Sequence, residues 1–304
     1  MKNILIIGGS GFVGSAIINE LPRRGEYAGL CISVPTRRPE RARQLLVIPT
    51  VKLIDADVHN PATLARLMQG QDAVISLVGV LSSVEGQPYG KDFARAHFEL
   101  PQKIATAASQ AGVRRVIHVS ALQASADAPS GYLRSKAAGE AALIAAGLDL
   151  TIFRPSVIFG QGDSFLTLFA GLAKIAPFFP LASPDARFAP VWVNDVAGCV
   201  VDSLSSVASI GKHYNLCGPQ QYSLRELVKY AAAVAGHPRM VIGLPDGIAW
   251  LQAWAMEFLP DPPMTRDNLR SMRVASVCAE GALLPFGRKA ASLEAIAPTY
   301  LSAS

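Results

Sequence analysis

Residues 6–17 read IIGGSGFVGSAI, and this stretch decides the fold. Gly8, Gly11 and Gly14 follow the apolar run NILIIG and precede a helix-like segment that starts at about Phe12. Glycine lets the backbone turn tightly after a strand, and the free N–H groups at a helix start attract phosphate. The spacing predicts a dinucleotide-binding loop, with an ordinary strand–turn–helix connection as the alternative. The predicted contacts of this loop are Gly8, Ser10, Gly11, Phe12, Val13 and Gly14.

Apolar runs alternate with helix-like segments through the first half of the chain. After NILIIG come LCISV, VKLID, DAVISLV, RVIHVS and LDLTIF. Strands that are apolar throughout and separated by helices predict a parallel sheet covered on both faces. The predicted fold class is α/β, a doubly wound parallel-sheet Rossmann fold over residues 1–157. Asn60 and Pro61 are predicted to start one helix, and Pro101 to kink another or mark its start.

The second half of the chain is less regular than the first. It predicts a smaller, partly interleaved C-terminal α/β lobe over residues 158–304, which would hold a substrate or partner. Segments near residues 188–217 are predicted to return to the Rossmann sheet. Ser223 and Glu226 have the spacing of a capping box at the start of a helix. A further apolar helix is predicted in DGIAWLQAWAMEFLPDPP, where prolines end it.

The composition narrows the function classes. Of the 304 residues, 50% are hydrophobic and 17% are charged, and the net charge is +5. This balance suits a phosphate-bearing cofactor or an anionic membrane surface. No run of Lys and Arg interleaves with aromatic residues, so nucleic acid is not expected as a partner. No uninterrupted apolar stretch reaches the roughly 18 residues that span a bilayer. We expect a cytoplasmic protein, with peripheral association at the inner face of the membrane as an alternative.

The end of the second predicted strand selects the cofactor. An NAD site usually places an acid about 20 residues after the loop, where it holds the ribose 2′-hydroxyl. Here Thr36 is followed by Arg37 and Arg38, and nothing from Ala28 to Pro39 is acidic. Guanidinium groups form charge-assisted bonds to a 2′-phosphate, so the sequence predicts NADP(H) over NAD(H). Two solvated arginines on a basic loop are the alternative.

Topology adds further candidate cofactor contacts. Asp57 and Val58 follow the third strand, where such folds often meet the adenine ring. Val78 and Gly79 end the fourth strand, beside the path of the cofactor. Ordinary turn residues are the alternative for both pairs.

At this point the chain resembles the extended and atypical short-chain dehydrogenase/reductase superfamily. The motifs are the three glycines, DADV, HVSAL, YLRSK and RPSVIFG, and Pro155 and Val157 of the last are further expected cofactor contacts. A narrower likeness lies in RFAPVWVNDVA, YNLCGPQQYSLREL and LPDPPMTRDNLRSM, which look like bacterial relatives of the NADPH-binding accessory subunit of respiratory complex I. That subunit holds NADPH off the electron path. The likeness implies structural or assembly roles, and relatives are linked to coenzyme Q biosynthesis.

The candidate catalytic residues are Ser120, Tyr132 and Lys136. Tyr132 and Lys136 stand four apart, on one face of a helix. The superfamily resemblance implies that the lysine holds the nicotinamide ribose and lowers the pKa of the tyrosine, which moves a proton. It also implies that Ser120 holds a substrate carbonyl. The same three side chains could bind the cofactor without turnover, and SALQASADAPSGY replaces the segment typical of sugar-modifying relatives.

The second half carries many apolar side chains that could face a substrate. The stripe with helical spacing consists of Trp250, Leu251, Trp254 and Phe258, and an earlier set consists of Leu166, Leu168, Phe169, Leu172, Phe178 and Phe179. Core packing is the default expectation. A quinone- or isoprenoid-sized pocket, or a surface that touches membrane or a membrane protein, is the alternative. Arg187 is a candidate anchor.

The remaining reactive residue types predict no metal site. Cys31, Cys199, Cys217 and Cys278 are scattered, and we expect reduced, buried thiols. The histidines at positions 97 and 118 lie in apolar contexts and are expected to be core residues with satisfied hydrogen bonds.

Two functions stay open at this point. The first is an NADPH-dependent oxidoreductase acting on an apolar carbonyl or quinone-like compound. The second is a non-catalytic, NADPH-stabilised binding or assembly protein near membrane-associated respiratory or quinone-biosynthetic complexes.

Overall fold

A computed structural model describes residues 1–27, 29–260, 262–279 and 283–302. The strands, in chain order, are β1 (Asn3–Ile7), β2 (Cys31–Thr36), β3 (Val51–Asp55), β4 (Ala73–Ser76), β5 (Arg115–Val119), β6 (Asp149–Pro155), β7 (Ile158–Phe159), β8 (Phe178–Leu181), β9 (Arg187–Phe188), β10 (Val191–Trp192), β11 (His213–Leu216), β12 (Tyr222–Ser223) and β13 (Met240–Gly243). The α-helices are α1 (Phe12–Glu20), α2 (Pro61–Met68), α3 (Lys91–Phe93), α4 (Leu100–Ala111), α5 (Gly131–Ala145), α6 (Leu166–Ile175), α7 (Val193–Ser205), α8 (Leu224–Val234), α9 (Asp246–Met256), α10 (Arg266–Ser271), α11 (Leu293–Ile296) and α12 (Pro298–Leu301).

Seven strands form one central sheet in the order β11-β6-β5-β4-β1-β2-β3, and every neighbouring pair is parallel. Side chains alternate across the sheet. Ile4 and Ile6 of β1 pack in a core with residues of α1 and α7, whereas Leu5 and Ile7 pack in a second core with residues of α2 and α4. Both faces of the sheet are therefore covered, and the predicted doubly wound α/β fold is confirmed.

The chain crosses between the sheet and the C-terminal lobe more than once. β11 lies beside β6 at the edge of the central sheet, and α7 packs against α1. β10 pairs instead with β7, outside the central sheet. The boundary between residues 157 and 158 stays a prediction, since elements from both sides of it share the central sheet.

The C-terminal lobe is built on small cores around α6, α8 and α9. Ser223 and Glu226 form the predicted capping box at the start of α8. Leu166 and Phe179 are buried in these cores. β8 and β13 form a two-stranded parallel sheet at the edge of the lobe.

The helix starts and turns follow the sequence in most places. Asn60 caps α2 by accepting a hydrogen bond from the N–H of Thr63, with Pro61 in the first turn. Pro101 lies in the first turn of α4, as a true helix start. The preceding residues Ala94–Glu99 form a π-helix, which the sequence analysis did not predict. The connection from β2 to β3 contains a 3₁₀-helix, Pro39–Val47.

The expectation of four reduced thiols is wrong for two cysteines. Cys217 and Cys278 form a disulfide, whereas Cys31 and Cys199 are free. Cys217 directly follows β11. Cys278 stands two residues after Ser276, which forms a β-bridge to Phe188 of β9. The fold therefore brings together two cysteines that stand 61 residues apart in a sequence with no C-x-x-C motif.

Candidate functional site

The candidate site lies where the carboxyl ends of the central strands meet, the usual ligand position in open α/β sheets. The glycine loop leaves β1 through Gly8, whose φ of 88° is in the left-handed region. A Cβ on Gly8 would lie 3.1 Å from the backbone nitrogen of Val78, and a Cβ on Gly14 would lie 2.5 Å from Cα of Gly9. The loop is thus packed so closely that side chains at these two positions would displace its backbone.

The start of α1 can receive an anion. Gly11 is its N-cap residue, and no side chain caps the helix. Helix N-termini carry unpaired N–H groups and the positive end of the helix dipole. Phe12 and Val13 supply the first two helical residues, and Ser10 lies in the turn just before them. These positions fit the pyrophosphate of a dinucleotide.

The two arginines that the sequence analysis singled out follow the end of β2. Arg37 and Arg38 are exposed, and neither takes part in the ion pairs of the described residues. Thr36 ends β2 and accepts a hydrogen bond from the N–H of Arg38 at 3.3 Å. Two exposed guanidinium groups without acidic partners therefore stand at the edge of the candidate nucleotide site.

The predicted adenine contacts lie after β3. Asp57 accepts a hydrogen bond from the N–H of His59 at 3.0 Å, and Arg95 of the π-helix approaches its carboxylate at 3.9 Å. Val58 is partly buried. Burial, followed by the nearby Arg95, lowers the pKa of His59 below its ordinary value. This side of the site is therefore rich in cationic groups.

Lys136 meets the end of β4. A Cβ on Gly79 would lie 3.3 Å from Nζ of Lys136. A side chain at this position would therefore crowd the amine. Nζ donates a hydrogen bond of 3.4 Å to the carbonyl of Val119. Burial lowers the pKa of Lys136 to about 8, and Glu140 opposes this shift. The structure thus places the amine of Lys136 against Gly79, another of the predicted cofactor contacts.

Tyr132 lies one helical turn before Lys136 on α5. Its half-buried ring meets the rings of Phe93 and His97 edge to face, with centroids 5.8 and 5.4 Å away. Burial raises the pKa of Tyr132 to about 12. The superfamily resemblance implied that Lys136 lowers this pKa, and the structure contradicts that expectation because burial dominates. The phenol is therefore protonated at neutral pH.

Ser120 follows β5 and is buried. Its backbone N–H donates to the carbonyl of Phe153, while its Oγ has no hydrogen-bond partner among the described residues. Pro155 ends the neighbouring strand, and Val157 accepts a hydrogen bond from Val191. A buried hydroxyl without a partner is costly, which is expected at a site that a ligand completes.

A hydrogen-bonded chain that the sequence analysis missed links the end of β4 to α5. Nε2 of His97 accepts from the N–H of Val80 at 3.0 Å, so Nδ1 carries the proton and donates to Ser135 Oγ at 2.9 Å. Ser135 in turn donates to the carbonyl of Tyr132 at 2.7 Å. His97 is a satisfied core histidine, as expected, and burial lowers its pKa to about 2. The only sequence signal for this chain was the apolar context of His97.

The start of α5 is held by a residue from the other lobe. The carboxylate of Asp267 accepts hydrogen bonds from the N–H groups of Gly131 and Tyr132, at 2.7 and 3.0 Å. Ser130 caps the same helix through the N–H of Leu133. No local pattern pointed to Asp267, since it follows Tyr132 by 135 residues.

A cavity of about 250 Å³ opens beside the start of α5. It is lined by Ser83, Val84, Glu85, Gly86, Gln87, Gly90, Phe93, Pro129, Gly131, Arg134, Glu257, Asp267 and Arg270. Glu85 pairs with Arg266 at 2.9 Å and with Arg270, and both arginines lie over the ring of Trp250. Five of the thirteen lining residues are charged, and Tyr132 is not among the thirteen.

The comparison with protein families now decides the class. The model described as NAD(P)H-binding matches residues 8–164, which include the glycine loop, Tyr132 and Lys136. The chain belongs to this NAD(P)H-binding family.

Two relatives of this NAD(P)H-binding protein carry different names. It is 28% identical over 278 residues to the Mus musculus protein "NADH dehydrogenase (ubiquinone) 1 alpha subcomplex subunit 9, mitochondrial", covering 90% of this chain and 72% of that protein. It is 29% identical over 259 residues to a "Ceramide reductase" of Caulobacter vibrioides, covering 83% and 78%. The resemblance to an accessory-subunit lineage is confirmed, and the reductase name stands beside it.

The fold of this NAD(P)H-binding protein is shared by an enzyme of known structure. A dTDP-glucose 4,6-dehydratase of Streptomyces venezuelae, solved with NAD and TYD bound, superposes with a TM-score of 0.74. The superposition covers 98% of this chain and 95% of that chain at 19% identity. At this identity the match shows the fold alone.

The apolar stripe of this NAD(P)H-binding protein departs from the default expectation of a core. Leu251, Trp254 and Phe258 are 59%, 45% and 73% exposed, and only Trp250 turns inward toward α10. The candidate anchor Arg187 lies on β9, half-exposed, with Glu226 at 4.0 Å, outside the lining of the cavity.

The residues with described structure hold no cluster of His, Cys, Asp or Glu suited to a metal ion. No helix within the described ranges has the length and apolar character needed to cross a membrane.

Proposed function

We propose that this protein is an NADP(H)-dependent reductase of a carbonyl or quinone-like group on an apolar, lipid-like compound. The observation that carries the proposal is the protonated phenol of Tyr132, one turn from the amine of Lys136 and on the same helix. A proton donor beside a buried cation is what carbonyl reduction requires of a protein.

Each residue has a defined task in this proposal. The glycine loop and the start of α1 would hold the pyrophosphate, and Lys136, beside Gly79, would hold the nicotinamide ribose. The bound nicotinamide supplies the hydride. Ser120 Oγ would donate to the substrate oxygen, and Tyr132 would deliver the proton that this oxygen acquires. Because the pKa of Tyr132 is about 12, the phenol starts as the acid, which suits reduction.

The preference for NADP(H) is supported by Arg37 and Arg38. Both are exposed after β2. A 2′-phosphate there would gain charge-assisted hydrogen bonds, whereas a bare 2′-hydroxyl would find no acid in the segment from Ala28 to Pro39.

The substrate class is supported by two observations of different kinds. The cavity beside Phe93 and Gly131 is charged, so a substrate with a polar head suits it better than a wholly apolar one. Glu257, the C-cap residue of α9, lines the same cavity, and α9 carries exposed apolar side chains. A relative named a ceramide reductase is consistent with a lipid-like carbonyl compound.

The proposal is tested with Tyr132→Phe. The variant should lose at least roughly a hundredfold in NADPH consumption with a panel of long-chain ketones, acylated amides and quinones, because its proton donor is gone. NADPH affinity should stay within about twofold, because this proposal assigns the cofactor contacts to the glycine loop, Lys136, Arg37 and Arg38. Tyr230→Phe, a half-buried phenol of α8 in the other lobe, is the matched control. Equal turnover by Tyr132→Phe and wild type would refute the proposal.

A second candidate function is an NADPH-stabilised, non-catalytic partner in a membrane-associated complex. It is favoured by the packing of the Tyr132 ring against Phe93 and His97, since Tyr132 itself does not line the cavity. A relative named as a subunit of the mitochondrial NADH dehydrogenase is consistent with it. It predicts slow NADPH release, a higher melting temperature with NADPH, and no consumption with any member of the panel.

A further inference from the structure

Helix α9 is inverted relative to an ordinary surface helix. Its buried residues are the small Ala249 and Ala253. The large apolar residues point outward, and Ile248, Leu251 and Trp254 are 54%, 59% and 45% exposed. A helix that turns its small side chains inward and its large ones outward leaves an apolar face without a partner.

The two-stranded sheet beside α9 extends this face. Phe178 of β8 and its register partner Met240 of β13 are both exposed, as is Ile242, while the alternate residues Phe179 and Val241 are buried. Gln252 of α9 donates a hydrogen bond to a β8 carbonyl, that of Pro180. The outer face is therefore one surface, formed by Phe178, Pro180, Met240, Ile242, Ile248, Leu251, Trp254, Phe258 and Leu259.

The charges around the outer face favour an anionic occupant. From Gly247 to Met256 the chain has no charged residue, and the amide of Gln252 is already bonded. Lys174 is exposed at the end of α6, two residues before the loop into β8, and it takes no part in the ion pairs of the described residues. Glu257, the acid at the C-terminal end of α9, pairs with Arg266 at 2.8 Å, whereas Asp246, at the start of α9, is an exposed acid. Arg239 precedes Met240 and donates a hydrogen bond to the carbonyl of Ala173, so it adds a second cation on the side of Lys174.

We propose that the outer face docks on the surface of an anionic lipid bilayer. Tryptophan, phenylalanine and leucine on one face, with lysine at the border, is the composition of interfacial membrane segments. A second copy of the chain is the competing occupant, and the test below includes its outcome. The side chains would enter the headgroup region from outside, without any crossing of the membrane.

The docked face lies one helix layer from the candidate catalytic helix. The inner side of α9 packs on Leu269 of α10, and α10 holds the start of α5 through Asp267. Docking would therefore place the cavity beside Gly131 near the headgroups. This step rests on the proposed reductase function, whereas the docking itself does not.

The test uses the whole protein and vesicles of phosphatidylcholine with or without phosphatidylglycerol. Wild type should sediment with the mixed vesicles, and the double variant Leu251→Ser, Phe258→Ser should bind at least roughly tenfold more weakly, because two apolar anchors are lost. The matched control is Ile144→Ser, Val207→Ser, which removes two similarly exposed apolar side chains elsewhere. Lys174→Gln should weaken binding roughly fivefold on the mixed vesicles and leave binding to pure phosphatidylcholine unchanged.

Three outcomes would overturn the proposal. Wild-type protein that stayed in solution with both kinds of vesicle would contradict docking directly. The control variant could lose as much binding as the Leu251, Phe258 variant, which would show that the outer face is not involved. Sedimentation velocity could show a dimer that only the Leu251, Phe258 variant breaks, which would assign the face to a second copy. NADPH affinity of the variant, expected to equal that of wild type, separates this result from a failure of the cofactor site.

Discussion

The carboxylate of Asp267 accepts a 3.0 Å hydrogen bond from the backbone N–H of Tyr132. Asp267 belongs to the C-terminal lobe, and Tyr132 starts the helix that carries Lys136. The same carboxylate accepts from Gly131, so a negative charge stands at the N-terminus of α5, where the helix dipole favours it. Cofactor side and C-terminal lobe are thereby joined at the residue proposed to deliver the proton.

Replacing Asp267 by alanine should destabilise the protein. Two N–H groups at the start of α5 lose their acceptor, and the helix loses a favourable charge, so the free energy of unfolding should fall by about 2 kcal/mol. Asp267→Asn keeps one acceptor, so its free energy of unfolding should fall by about half as much. Urea unfolding measures both. Asp127→Ala, an exposed acid just before α5, is the control and should match wild type.

Predicting this fold from sequence was possible because its main signals are local. A strand buried on both faces is apolar throughout, and the glycine loop must be compact. A stretch of about a dozen residues was therefore enough to predict β1 and the start of α1. Tyr132 and Lys136 became catalytic candidates for a similar reason, since their spacing places them on one face of a helix, whereas Ser120 was proposed from the superfamily resemblance. Their environment was not local, and the raised pKa of Tyr132 comes from burial that no motif encodes.

The features that sequence analysis missed depend on contacts between distant segments. Asp267 lies 135 residues from Tyr132, and no periodicity relates them. The stripe on α9 shows why spacing alone is ambiguous. Leu251 and Trp254 repeat on one face and Ala249 and Ala253 on the other, so the pattern defines two faces without telling which one is buried.

Removing either of the two arginines after β2 should reduce the preference for NADPH over NADH. Arg37→Ala and Arg38→Ala should each weaken NADPH binding roughly tenfold and change NADH binding less than about twofold, because only the 2′-phosphate needs the charge. Fluorescence titration gives both constants. Added salt should reduce the preference of wild type for NADPH over NADH, because salt screens the exposed charges of Arg37 and Arg38.

Arg43→Ala removes an equally exposed charge from the following 3₁₀-helix and controls for net charge. It should leave the ratio of the NADPH and NADH constants unchanged. Wild-type protein that binds NADH as tightly as NADPH would contradict the assignment of Arg37 and Arg38.

Stability should fall as the pH drops below about 6.5, the ordinary pKa of histidine. Burial, with Lys136 as a second cause, lowers the pKa of His97 to about 2 and that of His118 to about 3. The unfolded chain binds a proton at each histidine below pH 6.5, whereas the folded chain binds it only near the lowered pKa. Each histidine should therefore remove about 2 kcal/mol of the free energy of unfolding between pH ~7 and ~5.

Urea unfolding at several pH values tests the contribution of His97. His97→Asn should unfold more easily at every pH, because the link from Val80 to Ser135 is broken, but its loss between pH ~7 and ~5 should be smaller by about 2 kcal/mol. His213→Asn removes an exposed histidine and serves as the control. If His97→Asn kept the full wild-type slope, the buried, neutral state of His97 would be wrong.

The Cys217–Cys278 disulfide should stabilise the protein through the unfolded chain. It closes a loop of 61 residues, and losing such a cross-link costs about 2–4 kcal/mol. Reduction of wild type should therefore lower the melting temperature, and Cys217→Ala should show the same decrease and no further response to the reductant. Cys31→Ala, which removes a free thiol, should respond to reduction as wild type does.

Cys278 is partly exposed, so a reductant can reach the bond without prior unfolding. Identical melting of oxidised and reduced wild type would show that the cross-link adds no stability, and mass spectrometry after alkylation would establish whether it had formed.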